Sequence, residues 1–214
     1  MEQNNFLKRV FAYFLDLLIV GIVLGVLTTF FVPQSKNSKK LSLEQENITS
    51  SFFDKELGAK EFVNRSIEIG YDQAKEEIPV VIIDIAGMLL YFVVFQAYNK
   101  GQTIGKKLVK LKVVGNSGKE LGLNDYLKRV LIVPPIFCDL LDLILLMFVQ
   151  KNIYLTSNIV LTVLKNLLLL ITGIMVIYRK DNRGLHDLIA DTKVIELKEK
   201  EKTKKKEKKD GKSI

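Results

Sequence analysis

Four long apolar stretches dominate this chain, at residues 10–32, 78–98, 130–149 and 158–178, and each has a charged side chain inside it. At 1.5 Å of rise per residue, about 20 residues cross the hydrocarbon of a bilayer. Each stretch is long enough. Four apolar helices of that length do not fit the core of a soluble domain of 214 residues, whereas apolar spans joined by charged loops fit 48% hydrophobic and 26% charged residues. The expected fold is an all-α membrane protein, a four-transmembrane-helix bundle. The embedded charges are Asp16, Asp84, Asp139 with Asp142, and Lys165. An ionised group at bilayer depth costs from about 2.5 kcal/mol on insertion scales to well above about 10 in simulations. Such groups therefore face a protein interior or a water cavity, and they mark the first place to look for function.

The first stretch follows Lys8 and Arg9, as a signal peptide would. Its apolar run is too long for an h-region, Asp16 interrupts it, and no small-residue cleavage site follows, so it reads as an uncleaved anchor. Orientation follows from the cations. Lys100, Lys106, Lys107, Lys110, Lys112, Lys119, Lys128 and Arg129 crowd the segment between the second and third stretches, and the C-terminal tail is Lys-rich. The loop at 33–77 has more acids than bases. Positive residues favour the cytoplasm, so both termini are expected there, in the cytoplasmic membrane, with an even number of spans.

The single cysteine, Cys138, has no intramolecular partner, and no Cys/His cluster suggests a metal. No cofactor and no nucleic-acid partner is expected. Thr103 caps a short helix through Leu108, whose lysines can meet anionic lipid headgroups. Residues 111–114 have strand character, and 192–197 can pair with them in a small cytoplasmic β element. Asn124 is the expected cap of the third span's helix, which Pro134 and Pro135 then interrupt. Loop 33–77 reads as polar, with an amphipathic helix near 57–71. Residues 198–214 alternate Lys runs with Glu and read as a disordered cytoplasmic tail, leaving 1–197 as the transmembrane domain.

Depth bookkeeping places Asp84, Asp142 and Lys165 about 9–10 Å below the outer surface, with Asp139 at about 15 Å and Asp16 about 9 Å above the cytoplasmic end. A buried pair of Lys165 with Asp142, Asp84 or both is therefore expected. Arg9, Ala12 and Asp16 share one helical face, and Asp84, Gly87 and Tyr91 another. Gly21 and Gly25 form a small-xxx-small pair suited to close helix packing. Buried carboxylates can load and release protons near neutral pH, which suggests a proton or cation path. The competing reading is that the charges pair with each other, Arg9 and Arg129, and fix helix register.

Three motifs in order resemble the RDD family of bacterial membrane proteins, named for one arginine and two aspartates. The first is Arg9-Val10-Phe11-Ala12-Tyr13-Phe14-Leu15-Asp16. The second is Gly101-Gln102-Thr103-Ile104-Gly105-Lys106-Lys107-Leu108, followed by 111–114. The third is Arg183-Gly184-Leu185-His186-Asp187-Leu188 with Ala190 and Thr192. Arg9 and Asp16 carry over as the first two named residues, and Asp187 is the choice for the third. Asp191 stands where the family often has glycine. The resemblance implies an integral membrane protein and suggests cation/proton exchange for some members.

His186 beside Asp187 lacks a nucleophile or metal partner, so the chain is not expected to be an enzyme. Asp187 is expected to pair with Lys106 or Lys107. The functional expectation is proton-coupled movement of a small solute or cation. The alternative is a non-transporting scaffold or accessory subunit. Either reading favours a homo-oligomer.

Overall fold

A computed structural model describes residues 5–33 and 35–197. Helix α1, Phe6–Phe31, is a continuous apolar rod that ends just before Pro33, with the Val32 amide bonded to the Thr28 carbonyl at 2.8 Å. Helix α4, Ile78–Leu89, runs on through a π-helical turn, Leu90–Phe95, into α5, Gln96–Tyr98. Together they make one rod, Ile78–Tyr98. Pro79 sits in its first turn, where a missing amide donor leaves no hydrogen bond unmade.

The third expected span is not one helix. Helix α7, Leu123–Ile132, and α8, Ile136–Phe148, meet at 70°. Pro134 and Pro135 lie between them, and two residues without amide donors break the ladder. Among the described residues, three helices are long and apolar enough to cross a membrane, or four if the bent pair is one span. The last, α9, covers Lys151–Tyr178 and begins earlier than the expected residue 158. The cap of α7 is Gly122 and not Asn124: the Gly122 amide donates to the Asp125 carboxylate at 3.0 Å.

Loop 33–77 holds the helix expected near 57–71, and a second one that was not expected. It is a helical hairpin, α2 at Lys36–Phe53 and α3 at Ala59–Glu76. Ser35 caps α2 by accepting from the Ser38 amide at 2.9 Å. Leu41, Ile48 and Ile69 form its small core. These apolar residues are widely spaced among Ser, Thr, Asn and Glu, which hides their helical period.

Two strands, β1 at Leu111–Gly115 and β2 at Thr192–Glu196, pair antiparallel with Val113 opposite Val194. Short helices α6, Ile104–Leu108, and α10, Leu185–Ile189, flank them. Thr103 caps α6 as expected, accepting from the Lys106 amide at 3.3 Å. The start of α1 reaches this sheet through the Lys8–Glu196 ion pair. Helix α3 lies against α4 and α8, and its Tyr71 ring sits 5.5 Å from that of Tyr154 on α9.

One core joins bundle to sheet: Ala12, Phe92, Val113, Tyr126, Val130 and Val194 are buried together. Gly87 permits the close approach of α1 to α4, since a Cβ there would lie 2.3 Å from Leu24 Cδ2. Gly21 and Gly25 play no such part within the chain, having nothing within 4 Å of an added Cβ. Phe14, Ile22, Val160 and Leu170 are exposed on the outer faces of α1 and α9, as lipid-facing residues would be. The expected tail, 198–214, lies outside the described residues.

Candidate functional site

Two groups of charges occupy the bundle, and the sequence motifs all meet in one of them. Asp16, in the middle of α1, is fully buried. Its carboxylate accepts from the Tyr91 hydroxyl at 2.6 Å, the Thr103 hydroxyl at 2.5 Å and the Gly105 amide at 2.7 Å. Tyr91 comes from the π-helical turn; the other two donors belong to the loop motif. The carboxylate therefore fastens α6 against α1 with three charge-assisted hydrogen bonds. Gly105 is required by this contact: an added Cβ would lie 2.2 Å from the Ala12 carbonyl and 2.8 Å from Asp16 Oδ1. The first two motifs interlock backbone to backbone.

Asp187, at the start of α10, is also fully buried. Its partners are Arg9 at 3.2 Å and Arg129, with the Thr192 hydroxyl donating at 3.1 Å. The expected pairing with Lys106 or Lys107 is not the one found. Lys106 turns inward instead, 3.4 Å from the Thr103 hydroxyl and 5.8 Å from the Phe92 ring centroid. Burial alone would push the Asp187 carboxyl up, but the Arg129 and Arg9 guanidiniums hold it well below the ordinary carboxylate range. Burial brings Lys106 down to about 8 against the pull of Asp16. His186 is brought down to about 3 by burial, with Arg129, Arg9 and Lys106 adding to the effect, so its ring is neutral at pH 7. Its Nε2 lies 3.3 Å from Asp187 Oδ2. Arg183 closes the assembly by donating to the carbonyls of Thr192 at 2.9 Å and Asp187 at 3.1 Å.

Asp191 explains its own oddity. Its φ is +48°, in the left-handed region where glycine is least strained. It adds an ion pair to Arg183 at 3.1 Å.

The second group lies on α4, α8 and α9. Lys165 pairs with Asp139, not with Asp142 or Asp84. Lys165 does not share the depth of Asp142 and Asp84 expected from the sequence, because the third span is bent and α9 does not begin at 158. Because α9 starts at Lys151, Lys165 lies farther from the α8–α9 turn. Asp142 takes the position nearer that turn, accepting from Asn158 at 2.8 Å and Tyr154 at 3.4 Å. Asp84 is half-buried on α4 and has no hydrogen bond or ion pair among the described residues. No group of His, Cys, Asp and Glu able to hold a metal occurs among the described residues.

Sequence reasoning selected Arg9, Asp16 and Asp187 but missed most of what they touch. Arg129 and Thr192 complete the Asp187 site; Tyr91, Thr103 and Gly105 complete that of Asp16. All were visible as residues, but contacts across many turns and two loops carry no local signal.

The fold and these paired clusters define a multi-pass helical membrane protein whose aspartates lock short helices and a sheet onto the membrane bundle. The RDD family model matches residues 4–191, and the chain belongs to the RDD family. No curated protein and no solved structure matches it.

Proposed function

We propose that the protein moves a small solute or cation across the cytoplasmic membrane with proton coupling, and that Asp84, Asp139, Asp142 and Lys165 carry the step. The charge bias of the loops favours both termini in the cytoplasm. The observation that carries the reading is the imbalance of the outer group. Lys165 serves Asp139, Asp142 has only neutral partners, and Asp84 has none among the described residues. Carboxylates without a cation at bilayer depth mark ion or proton pathways. The family's named residues, Arg9, Asp16 and Asp187, are committed to fastening the sheet end and have architectural roles.

Replacing Asp139 or Asp142 with Asn tests the assignment. Lost flux at unchanged membrane abundance supports it. Reduced abundance with unchanged flux per molecule contradicts it.

A second reading, a scaffold or accessory subunit, draws support from the α2–α3 hairpin. Leu43, Phe53, Val63 and Ile67 are exposed on this otherwise polar element, as on a partner-docking face. Homo-oligomer formation fits either reading, with the unused Gly21 and Gly25 pair as its contact.

A further inference from the structure

A cavity of about 340 Å³ lies between the start of α1, the end of α9 and the sheet end of the bundle. Its size is that of a small-ligand pocket. Arg9, Lys106 and Arg129 line it, and no carboxylate does among the described residues. Arg129 uses one nitrogen, Nη1, for both Asp187 and Thr192. Asp16 and Asp187, the nearby acids, are already engaged by the partners described above. Among the described residues the lining thus carries three cationic side chains and no carboxylate, with Asp16 and Asp187 behind the wall.

Two polar atoms in this wall lack partners among the described residues. The Thr172 hydroxyl, on a residue only 6% exposed, makes no hydrogen bond, and neither does His186 Nδ1. A buried hydroxyl without a partner is costly unless a ligand or water meets it. The rest of the wall is apolar. Val10 and Leu169 line it while being 49% and 37% exposed on the membrane-spanning helices α1 and α9. The cavity therefore has a cationic end beside the sheet and an apolar side between two lipid-facing helices. That is the shape of a site for an anionic amphiphile.

We propose that this cavity binds an anionic phospholipid from the leaflet on the sheet side. Its phosphate lies among Lys106, Arg129 and the Thr172 hydroxyl, and an acyl chain leaves between α1 and α9 past Val10 and Leu169. A soluble phosphate would satisfy the cations but would leave the apolar wall unfilled. This site is separate from the outer group of acids.

The chain has no tryptophan, so a single introduced one is an unambiguous reporter. Phe14 is exposed, one turn beyond Val10 on the same face, and Phe14→Trp places the indole beside the proposed exit of the acyl chain. The full-length variant is reconstituted in phosphatidylcholine vesicles holding a small fixed fraction of brominated phosphatidylglycerol or brominated phosphatidylcholine, and fluorescence quenching is titrated. The expected result is apparent binding about fivefold stronger for phosphatidylglycerol, the factor one cation contributes near an anionic headgroup. Thr172→Val and Lys106→Gln in this background should each move the ratio toward parity. Thr172→Val removes a hydroxyl with no hydrogen-bond partner among the described residues, so folding does not confound it. Lys107→Gln, on the exposed side of α6, should leave the ratio unchanged. Equal quenching by the two lipids overturns the proposal. So does a preference that survives both pocket substitutions, or one that Lys107→Gln lowers equally, which would assign it to the general basic surface. Loss of the preference in millimolar inorganic phosphate at constant ionic strength also overturns it, since the occupant would then be a soluble anion.

Discussion

Replacing Asp16 with Asn should loosen helix α6 without emptying its site. The side chain keeps its size, and Oδ1 keeps its two donors, the Tyr91 hydroxyl and the Gly105 amide. Both bonds lose charge assistance, about 0.5–1 kcal/mol each by the difference between charged and neutral hydrogen bonds. The amide nitrogen would replace Oδ2 and confront the Thr103 hydroxyl, which now donates at 2.5 Å. That hydroxyl would have to turn and accept, in competition with its capping bond from the Lys106 amide. A bond reversed in this way adds about 1 kcal/mol, for a total of about 2–3 kcal/mol, or about 30- to 160-fold in the detached population. Limited trypsin digestion of detergent-solubilised protein reads this directly, because cleavage at Lys106 and Lys107 requires local opening and its rate follows the open population. Cleavage after exposed Arg65, on α3, is the internal reference. Asp16→Ala, which removes the acceptor for all three donors, should exceed Asp16→Asn. If Asp16→Asn cleaves at the wild-type rate relative to Arg65, Asp16 does not hold α6 and the interlocking of the first two motifs is wrong.

Further outcomes follow from the same contacts. Gly105→Ala drives a methyl into the backbone of α1, where no side chain can move aside, and should destabilise by about 1–3 kcal/mol or more, seen as the same trypsin sensitivity. Stability should fall as pH drops below about 6.5, because unfolded His186 takes up a proton that the folded ring refuses down to about 3. From pH 7 to 5 this amounts to about 2 kcal/mol at 1.36 kcal/mol per unit, and His186→Gln should flatten that part of a thermal-denaturation profile. Asp191→Gly relieves the left-handed backbone but loses the exposed ion pair to Arg183, so the melting temperature should stay level or rise slightly. Lys165→Met alone should destabilise more than Lys165→Met with Asp139→Asn, because the single change leaves a carboxylate unpaired within the bundle.

The elements whose cause is local were legible in the chain. Apolar runs of about 20 residues announce spans. Thr103 marks the cap of α6, and β-branched residues at 111–114 and 192–197 mark the strands. The double proline announces a break, though the 70° bend it produces is a matter of packing and not of composition. Helix α3 was legible as an amphipathic stretch near 57–71, whereas α2 and its pairing with α3 were hidden because so few residues, Leu41, Ile48 and Ile69, hold them together. Ion-pair partners were the least legible. Lys165 chose Asp139 because α9 starts a full two turns before its apolar run, among Lys151, Asn152 and Tyr154, which hydropathy alone assigns to a loop. Asp16 chose neutral donors over Arg9 because the loop motif folds back onto α1, an arrangement set by Gly105 and by the absence of a Cβ there.

The functional claim rests on the outer acids, and flux through the purified protein tests it most directly. Vesicles containing the reconstituted chain and an internal pH dye are placed under a pH gradient, and Na⁺, K⁺ or Li⁺ is added outside. The account predicts a cation-dependent change in internal pH that Asp142→Asn abolishes at equal protein incorporation. A wild-type trace identical to empty vesicles for every cation, or an Asp142→Asn trace identical to wild type, would contradict it.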